Sequence, residues 1–226
     1  MIPSPPGAAE RVQSTAFAEI AASRRSVRRF AEQEVAEASL QRILAAATSA
    51  PSAHNRQPWR FAVIEGRQAK RALATAMAGR LREDRLRSGE DPGEVAADAA
   101  RSIARVGGAP LLIVVCLTME DMDVYGDPAR DEAEFLMAVQ SVAMATQNAL
   151  LAAHDEGLGA CVMCAPLFCP DIVSRVLGLP SAWRPQGLMT IGHPGDGGRL
   201  RPRLPVSSVT LRIGEPAGLR AQGVAS

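Results

Sequence analysis

The stretch that most restricts this chain runs from Phe135 to Ala153, where apolar or small residues occupy nearly every face of a helix. A helix apolar around its whole circumference has no solvent side and needs burial on all sides. Asp127-Pro128 is a good start signal, because proline at the first helical position gives up an N–H that would have no partner there; Gly157 is a good stop. A chain of 226 residues can build one sizeable core, but it has little to spare for wrapping such a helix completely. The pattern predicts burial partly against a second subunit. Met137 and Met144 are assigned to the helix core.

The rest of the chain supplies a sheet for this helix to pack on. Leu111 to Leu117 is a continuous apolar run set off by Gly107-Gly108-Ala109-Pro110, the mark of a strand covered on both faces. Phe61 to Ile64, Ala160 to Met163 and Gly187 to Ile191 are shorter strand candidates. Helices are predicted over Thr15 to Ala22, Ser39 to Ala47, Arg67 to Ala78, Val95 to Val106 and Pro170 to Leu177. The second of these stops before Pro51, since the residue preceding proline is pushed out of helical geometry. Gly79 to Gly93 is highly charged and reads as a solvent-facing excursion, either a lid over a site or a connection between helices. Arg199 to Ile213 reads as an arm, and the elements lack a regular βαβ rhythm. The expectation is an α+β fold, a sheet flanked by helices, in one domain over 15–213, with mobile ends at 1–14 and 214–226.

A formal charge of +1 argues against a nucleic-acid binder or a polybasic membrane-surface protein. No stretch reads as the roughly 18 to 20 apolar residues of a membrane span, and Met1 to Gly7 lacks the regions of a signal peptide. A cytoplasmic location is expected. Cys116, Cys161, Cys164 and Cys169 are expected as reduced thiols; their spacing fits no standard zinc or iron–sulfur pattern, so they read as small buried hydrophobes and no metal is expected. His154 at a helix end and His193 at a strand end have structural explanations.

Basic character is concentrated in Arg24-Arg25-Ser26-Val27-Arg28-Arg29-Phe30. Such a run is either a solvated surface or a set of forked guanidinium donors and a hydroxyl suited to a dianionic phosphate. Arg201-Pro202-Arg203 forms a second, proline-stiffened pair. In Ala50 to Trp59, two prolines frame Ser52, His54, Asn55 and Gln57 just before a strand. That loop is either an ordinary capped turn or a rigid display of amides, which suit the mixed donors and acceptors at the edge of a flat heterocycle.

In order and spacing, five segments resemble the nitroreductase superfamily of FMN enzymes: the arginine-serine motif at Arg24 to Phe30, Ala50 to Trp59, Gly157-Leu158-Gly159-Ala160, Ile191-Gly192-His193-Pro194, and Arg201 to Pro205. The resemblance implies a nitroreductase-like sandwich with a mainly antiparallel sheet, in an intertwined homodimer whose FMN touches both subunits. It implies that Arg24, Arg25 and Ser26, with Arg201 and Arg203, hold the phosphate and ribityl chain. Arg28 would lie at the pyrimidine edge, Pro51, Ser52 and Ala53 along the ring, and Asn55 with Gln57 would reach across the interface. Met163, Cys164 and Ala165 would pass the flavin through their backbone, and His54 and Cys164 are candidate substrate contacts. No side chain is assigned as catalytic, the reactive atom being flavin N5. Met163 to Phe168 and Trp183 to Gly187 are most similar to the FMN reductase domain of coenzyme F-420 biosynthesis. The implied reaction is ping-pong transfer from NADH, NADPH or a reduced deazaflavin to a nitroaromatic, quinone, enone or dehydro-F-420 precursor. A non-catalytic flavin or deazaflavin carrier and a structural dimer with a degenerate site are the alternatives.

Overall fold

The computed structural model describes residues 8–199 and 201–213. Strands β1 (Trp59–Ile64), β2 (Leu111–Leu117), β3 (Gly159–Met163) and β4 (Arg184–Gly192) form one sheet in the order β1-β2-β4-β3, with every neighbouring pair antiparallel. Around it lie α1 (Ala8–Ser23), α2 (Glu37–Thr48), α3 (Arg67–Arg87), α4 (Pro92–Gly107), α5 (Pro128–Asp155) and α6 (Pro170–Leu177). All of β2 is buried, as its unbroken apolar run demands. Because side chains alternate along a strand, Leu111, Ile113, Val115 and Leu117 enter one core and Leu112, Val114 and Cys116 the other. The first core is closed by α2 through Leu40 and Ile43 and by α5 through Val142, Ala145 and Ala149. The second is closed by α3 through Leu73 and Met77, α4 through Val106 and α6 through Ile172 and Val173. The result is the expected α+β sandwich.

Helix starts follow the signals in the sequence. Asp91 and Asp127 each cap a helix, accepting from Glu94 N–H at 2.8 Å and Ala129 N–H at 3.0 Å, and each is followed by proline. Gly178 ends α6 at φ 61°, where a side chain would be strained. The helix predicted from Thr15 begins earlier, at Ala8, while the expectations for 1–7 and 214–226 lie outside the described residues.

The charged segment 79–93 is not a lid; of the two readings, the connection between helices holds, in a shorter form than expected. Helix α3 continues through Gly79 to Arg87, and only 88–91 separates it from α4. Arg85 closes this helical hairpin by pairing with Glu90 and with Asp98, which also pairs with Arg101. Both carboxyls are held below their ordinary range, chiefly by the hydrogen bonds from Arg85. The charges are therefore the outer face of a helix pair.

Helix α5 corrects two expectations. By length and composition it could cross a membrane, contrary to the expectation that no stretch is long and apolar enough. Here it packs along the sheet as a core helix through Ala138, Val142, Ala145, Ala149 and Ala153. Its opposite face is open in the single chain: Leu136 is 51 % exposed, and Met144, assigned above to the core, is 40 % exposed.

The C-terminal end of α5 is locked to α2 by Glu156, which accepts from Nε and Nη2 of Arg42, both at 2.6 Å, and from Ser39 Oγ at 2.9 Å. These donors, the Arg42 hydrogen bonds foremost, lower its pKa to about 2. A carboxylate whose folded pKa is depressed stabilises the fold above its unfolded value of about 4.3, and that stabilisation is lost as pH falls through the folded value. Glu156→Gln is expected to lower Tm near neutral pH, with the gap to the parent protein narrowing as pH falls from about 4 towards 2. Thermal melts followed by circular dichroism across that range measure the gap; a constant gap would show that ionisation of Glu156 is not its source.

Candidate functional site

The basic segment is fastened along the open edge of the sheet. It leaves the end of α1, where Arg24 N–H donates to the Ile20 carbonyl at 3.1 Å, and Ser26 then pairs with Ala160 of edge strand β3. Val27 N–H donates to the Ala160 carbonyl at 3.1 Å and the Val27 side chain is buried. Further on, Ala31 N–H donates to the His193 carbonyl and Gly195 N–H to the Arg29 carbonyl, both at 2.9 Å. Burying Val27 while stitching the backbone on both sides fixes where the flanking arginines project. Two glycines permit this approach. A Cβ on Gly159 would lie 2.7 Å from Val27 Cβ; one on Gly198, whose φ is 67°, would lie 2.9 Å from Arg25 Cβ.

The resulting cavity, about 760 Å³, joins Arg24, Arg25, Ser26 and Arg28 with Arg201 and Arg203 from the arm. Two sequence-distant basic clusters thus line one cavity. Arg25 is partly committed, its Nη1 donating to the carbonyls of Ala22 at 2.6 Å and Arg24 at 2.9 Å. Arg29 is largely exposed, 4.0 Å from Asp196. Arg105 of α4, Arg199, and the turn Asp196-Gly197-Gly198, none of them expected from the sequence, line the same cavity. The glycine-rich run at 195–198 was the available signal for the turn; nothing local pointed to Arg105.

The second predicted cluster is a strained loop. His54, Asn55 and Gln57 have φ of 49°, 55° and 50°, left-handed values costing of order 1 kcal/mol or more each for residues with side chains. The surroundings enforce them. Gln57 N–H donates to Ser52 Oγ at 3.0 Å, Asn55 N–H to the Ser52 carbonyl at 3.0 Å, and Ala53 N–H to the buried Ser141 of α5 at 3.3 Å. Arg56 pairs with Asp123 at 2.5 Å, and His54 Nδ1 stands 3.9 Å from the same carboxylate. Pro51, His54, Asn55 and Gln57 are left facing solvent.

Met163 and Cys164 lie at the far end of β3, about 13 Å from Gly159 at the rise of a strand. Cys164 and Ala165 are exposed, as are Leu167 and Phe168 in the short 3-10 turn Ala165–Phe168. The outward-facing carbonyl of Ala160 is used by Val27, so by the two-residue alternation Val162 presents its backbone groups to the same open edge. The thiols are unpaired; Cys116 is pushed up to about 12 by burial, an inert core residue, whereas Cys164 was expected buried and is not.

The single chain does not bring the two clusters together. The loop adjoins the start of β1, where Trp59 pairs with Leu117 and Leu117 with Arg184; the basic segment adjoins β3 and the other end of β4. They sit at diagonal corners of the sheet, about 14 Å apart across the strands and about 23 Å along them, from strand spacing and rise.

The chain matches the Nitroreductase family over residues 21–193. It belongs to that family. It is 31 % identical over 215 residues to a protein of Thermus thermophilus named NADH dehydrogenase, covering 84 % of this chain and 93 % of that one. A protein of Desulfovibrio desulfuricans solved in complex with FMN is similar at a TM-score of 0.65 and 27 % identity, covering 88 % of this chain and 98 % of that one. A BluB-like flavoprotein of Clostridium difficile shares the fold at a TM-score of 0.71 and 22 % identity, covering 90 % and 99 %. In this family member the basic segment and the edge strand stay in contact through Gly159. Gly159→Ala is expected to destabilise by about 1–3 kcal/mol through overpacking against Val27. The double variant Gly159→Ala with Val27→Ala should recover part of that loss in denaturant unfolding, which a defect unrelated to this contact would not do.

Proposed function

We propose that the protein is an FMN-dependent oxidoreductase using NADH or NADPH, with two cofactor sites that each straddle a homodimer interface. The observation that carries this reading is the separation of the arginine cavity from the strained amide loop. Each is built and incomplete, and a two-fold partner can bring the loop of one subunit to the cavity of the other. The open face of α5 and the exposed arm, where Leu204, Val206, Val209, Leu211 and Ile213 are each at least 65 % exposed, supply apolar surface for such a partner. The FMN in the Desulfovibrio structure and the name of the Thermus relative support the cofactor and the donor.

The residues present fit the cofactor. Arg24, Arg25, Ser26, Arg201 and Arg203 offer charge-assisted donors to its phosphate and ribityl chain. Arg28 in the same cavity would face the pyrimidine edge, where a cation stabilises negative charge. The backbone of Met163, Cys164 and Ala165 would run beside the ring, lined by Pro51, Ser52 and Ala53, while Asn55 and Gln57 of the partner subunit offer amides to its edge. When bound, FMN would supply two-electron transfer between the donor and a small conjugated acceptor such as a nitroaromatic, quinone or enone. The strain in the loop keeps those amides pre-aimed, so little ordering entropy is lost on binding. Leu167 and Phe168 give the exposed turn an apolar surface against which an acceptor could lie. A role in deazaflavin chemistry rests on the motifs within Met163 to Gly187 alone; reduction of the holoprotein by reduced F-420 in preference to NADH and NADPH is its test.

Arg24→Glu is expected to abolish FMN retention through gel filtration, read as the flavin absorbance, whereas Arg29→Glu should do much less. Co-refolding Arg24→Glu chains with chains carrying Asn55→Ala and Gln57→Ala should restore flavin binding at about a quarter of sites, because one site in each mixed dimer is then intact. No restoration would place the whole site within one subunit. His54→Ala should lower turnover of at least one acceptor; unchanged turnover of all of them would remove His54 from the substrate site.

A further inference from the structure

The basic cavity carries more positive charge than one cofactor phosphate can use. Among the described residues, eight arginines line it against one carboxylate, Asp196, which is itself 4.0 Å from Arg29 and accepts from Gly198 N–H at 3.1 Å. A phosphate monoester brings at most about two negative charges near neutral pH. The arginines and serine assigned to the cofactor come from the start of the chain and the arm. Arg105 comes from a different element, the last turn of α4, and Arg199 from the glycine-rich turn. Among the described residues neither Arg105 nor Arg199 has an ion-pair partner. The helix dipole accounts for a cation at the end of α4, but it does not account for aiming that cation into a cavity already crowded with like charge. At about 760 Å³ the cavity has the volume of a whole small-ligand site.

We infer that this cavity binds a second phosphate monoester beside that of the cofactor, held by Arg105 with Arg199 and Arg29, and that the group is the 2′-phosphate of NADPH. The inference rests on the FMN reading above and goes beyond it by selecting the donor. NADPH and NADH differ only in that dianion, so guanidinium groups reserved for it lower KM for NADPH and leave NADH without a partner for them. Arg29, which the cofactor does not require, then acquires a role at the mouth of the cavity.

The test uses the FMN-loaded protein at low ionic strength, where exposed charge is least screened. The parent should prefer NADPH to NADH by at least about tenfold in kcat/KM, mostly through KM, the size of one good charge-assisted contact. Arg105→Gln should retain FMN through gel filtration yet lose most of that preference, while Arg87→Gln, a charge change at the far end of α3, should keep it. Calorimetric titration gives a readout independent of turnover: adenosine 2′,5′-bisphosphate should bind the parent holoprotein at least about tenfold more tightly than adenosine 5′-monophosphate, and Arg105→Gln should erase the difference. Equal use of NADH and NADPH by the parent, a preference that survives Arg105→Gln, or loss of FMN from Arg105→Gln would each overturn the inference. Inorganic phosphate that inhibits both donors equally, without a preference between them, would assign the second dianion to another ligand and overturn the donor assignment. A parent protein that holds no FMN would instead overturn the reading on which the inference rests.

Discussion

Everything else in this structure depends on burying β2 from both sides. Its side chains alternate into two cores, so helices must cover both faces of the sheet: α2 and α5 on one, α3, α4 and α6 on the other. Each buried aliphatic side chain is worth roughly 1.5–3 kcal/mol, and a strand with no polar face has no other stable place. Once β2 is central, β1 and β3 become the two edges, and the segments of the candidate site are attached to those edges. The loop at 51–57 precedes β1 and is braced by α5 through Ser141; the arginine segment is stitched to β3 and to the turn beyond β4.

This arrangement explains why the charge cluster and the amide loop cannot serve one ligand within one chain. A sheet four strands wide holds its two edges apart, and the antiparallel register sends the loop and the arginines to opposite ends. The surfaces left over are apolar: the outer face of α5 and the side chains of the arm. In the homodimer proposed above, a second copy would cover them, complete the burial that α5 lacks and bring the two clusters into one site. In that reading, assembly and cofactor binding would be one problem of geometry.

Much of the site was legible in the sequence because its chemistry is local. Arg24 to Arg28, the proline-framed loop and the Arg201–Arg203 pair each occupy a few consecutive residues, and their side-chain types state what they can bind. Arg105 was illegible because it belongs to an ordinary amphipathic helix and reaches the cavity only through the packing of α4. The strain at His54, Asn55 and Gln57 was equally hidden, since three such residues within four positions rarely all take left-handed conformations and the bracing groups, Ser141 and Asp123, are far away in the chain. Segment 79–93 misled for the opposite reason: Gly79 and a dense run of charge suggested a break, yet the long-side-chain helix formers around it and the Arg85 ion pairs keep the chain helical to Arg87.

By itself the sequence determined the elements and their chemistry. An unbroken apolar run must be a doubly buried strand, proline and glycine set helix ends, and clustered guanidiniums invite an anion, because these are consequences of periodicity, backbone geometry and charge. Only the tertiary structure decided which of these meet. It joined Arg24 and Arg28 to Arg105, Arg199 and Arg203, held Asn55 and Gln57 at the far corner, and left one face of α5 open, because strand order and helix packing set distances that no local pattern encodes.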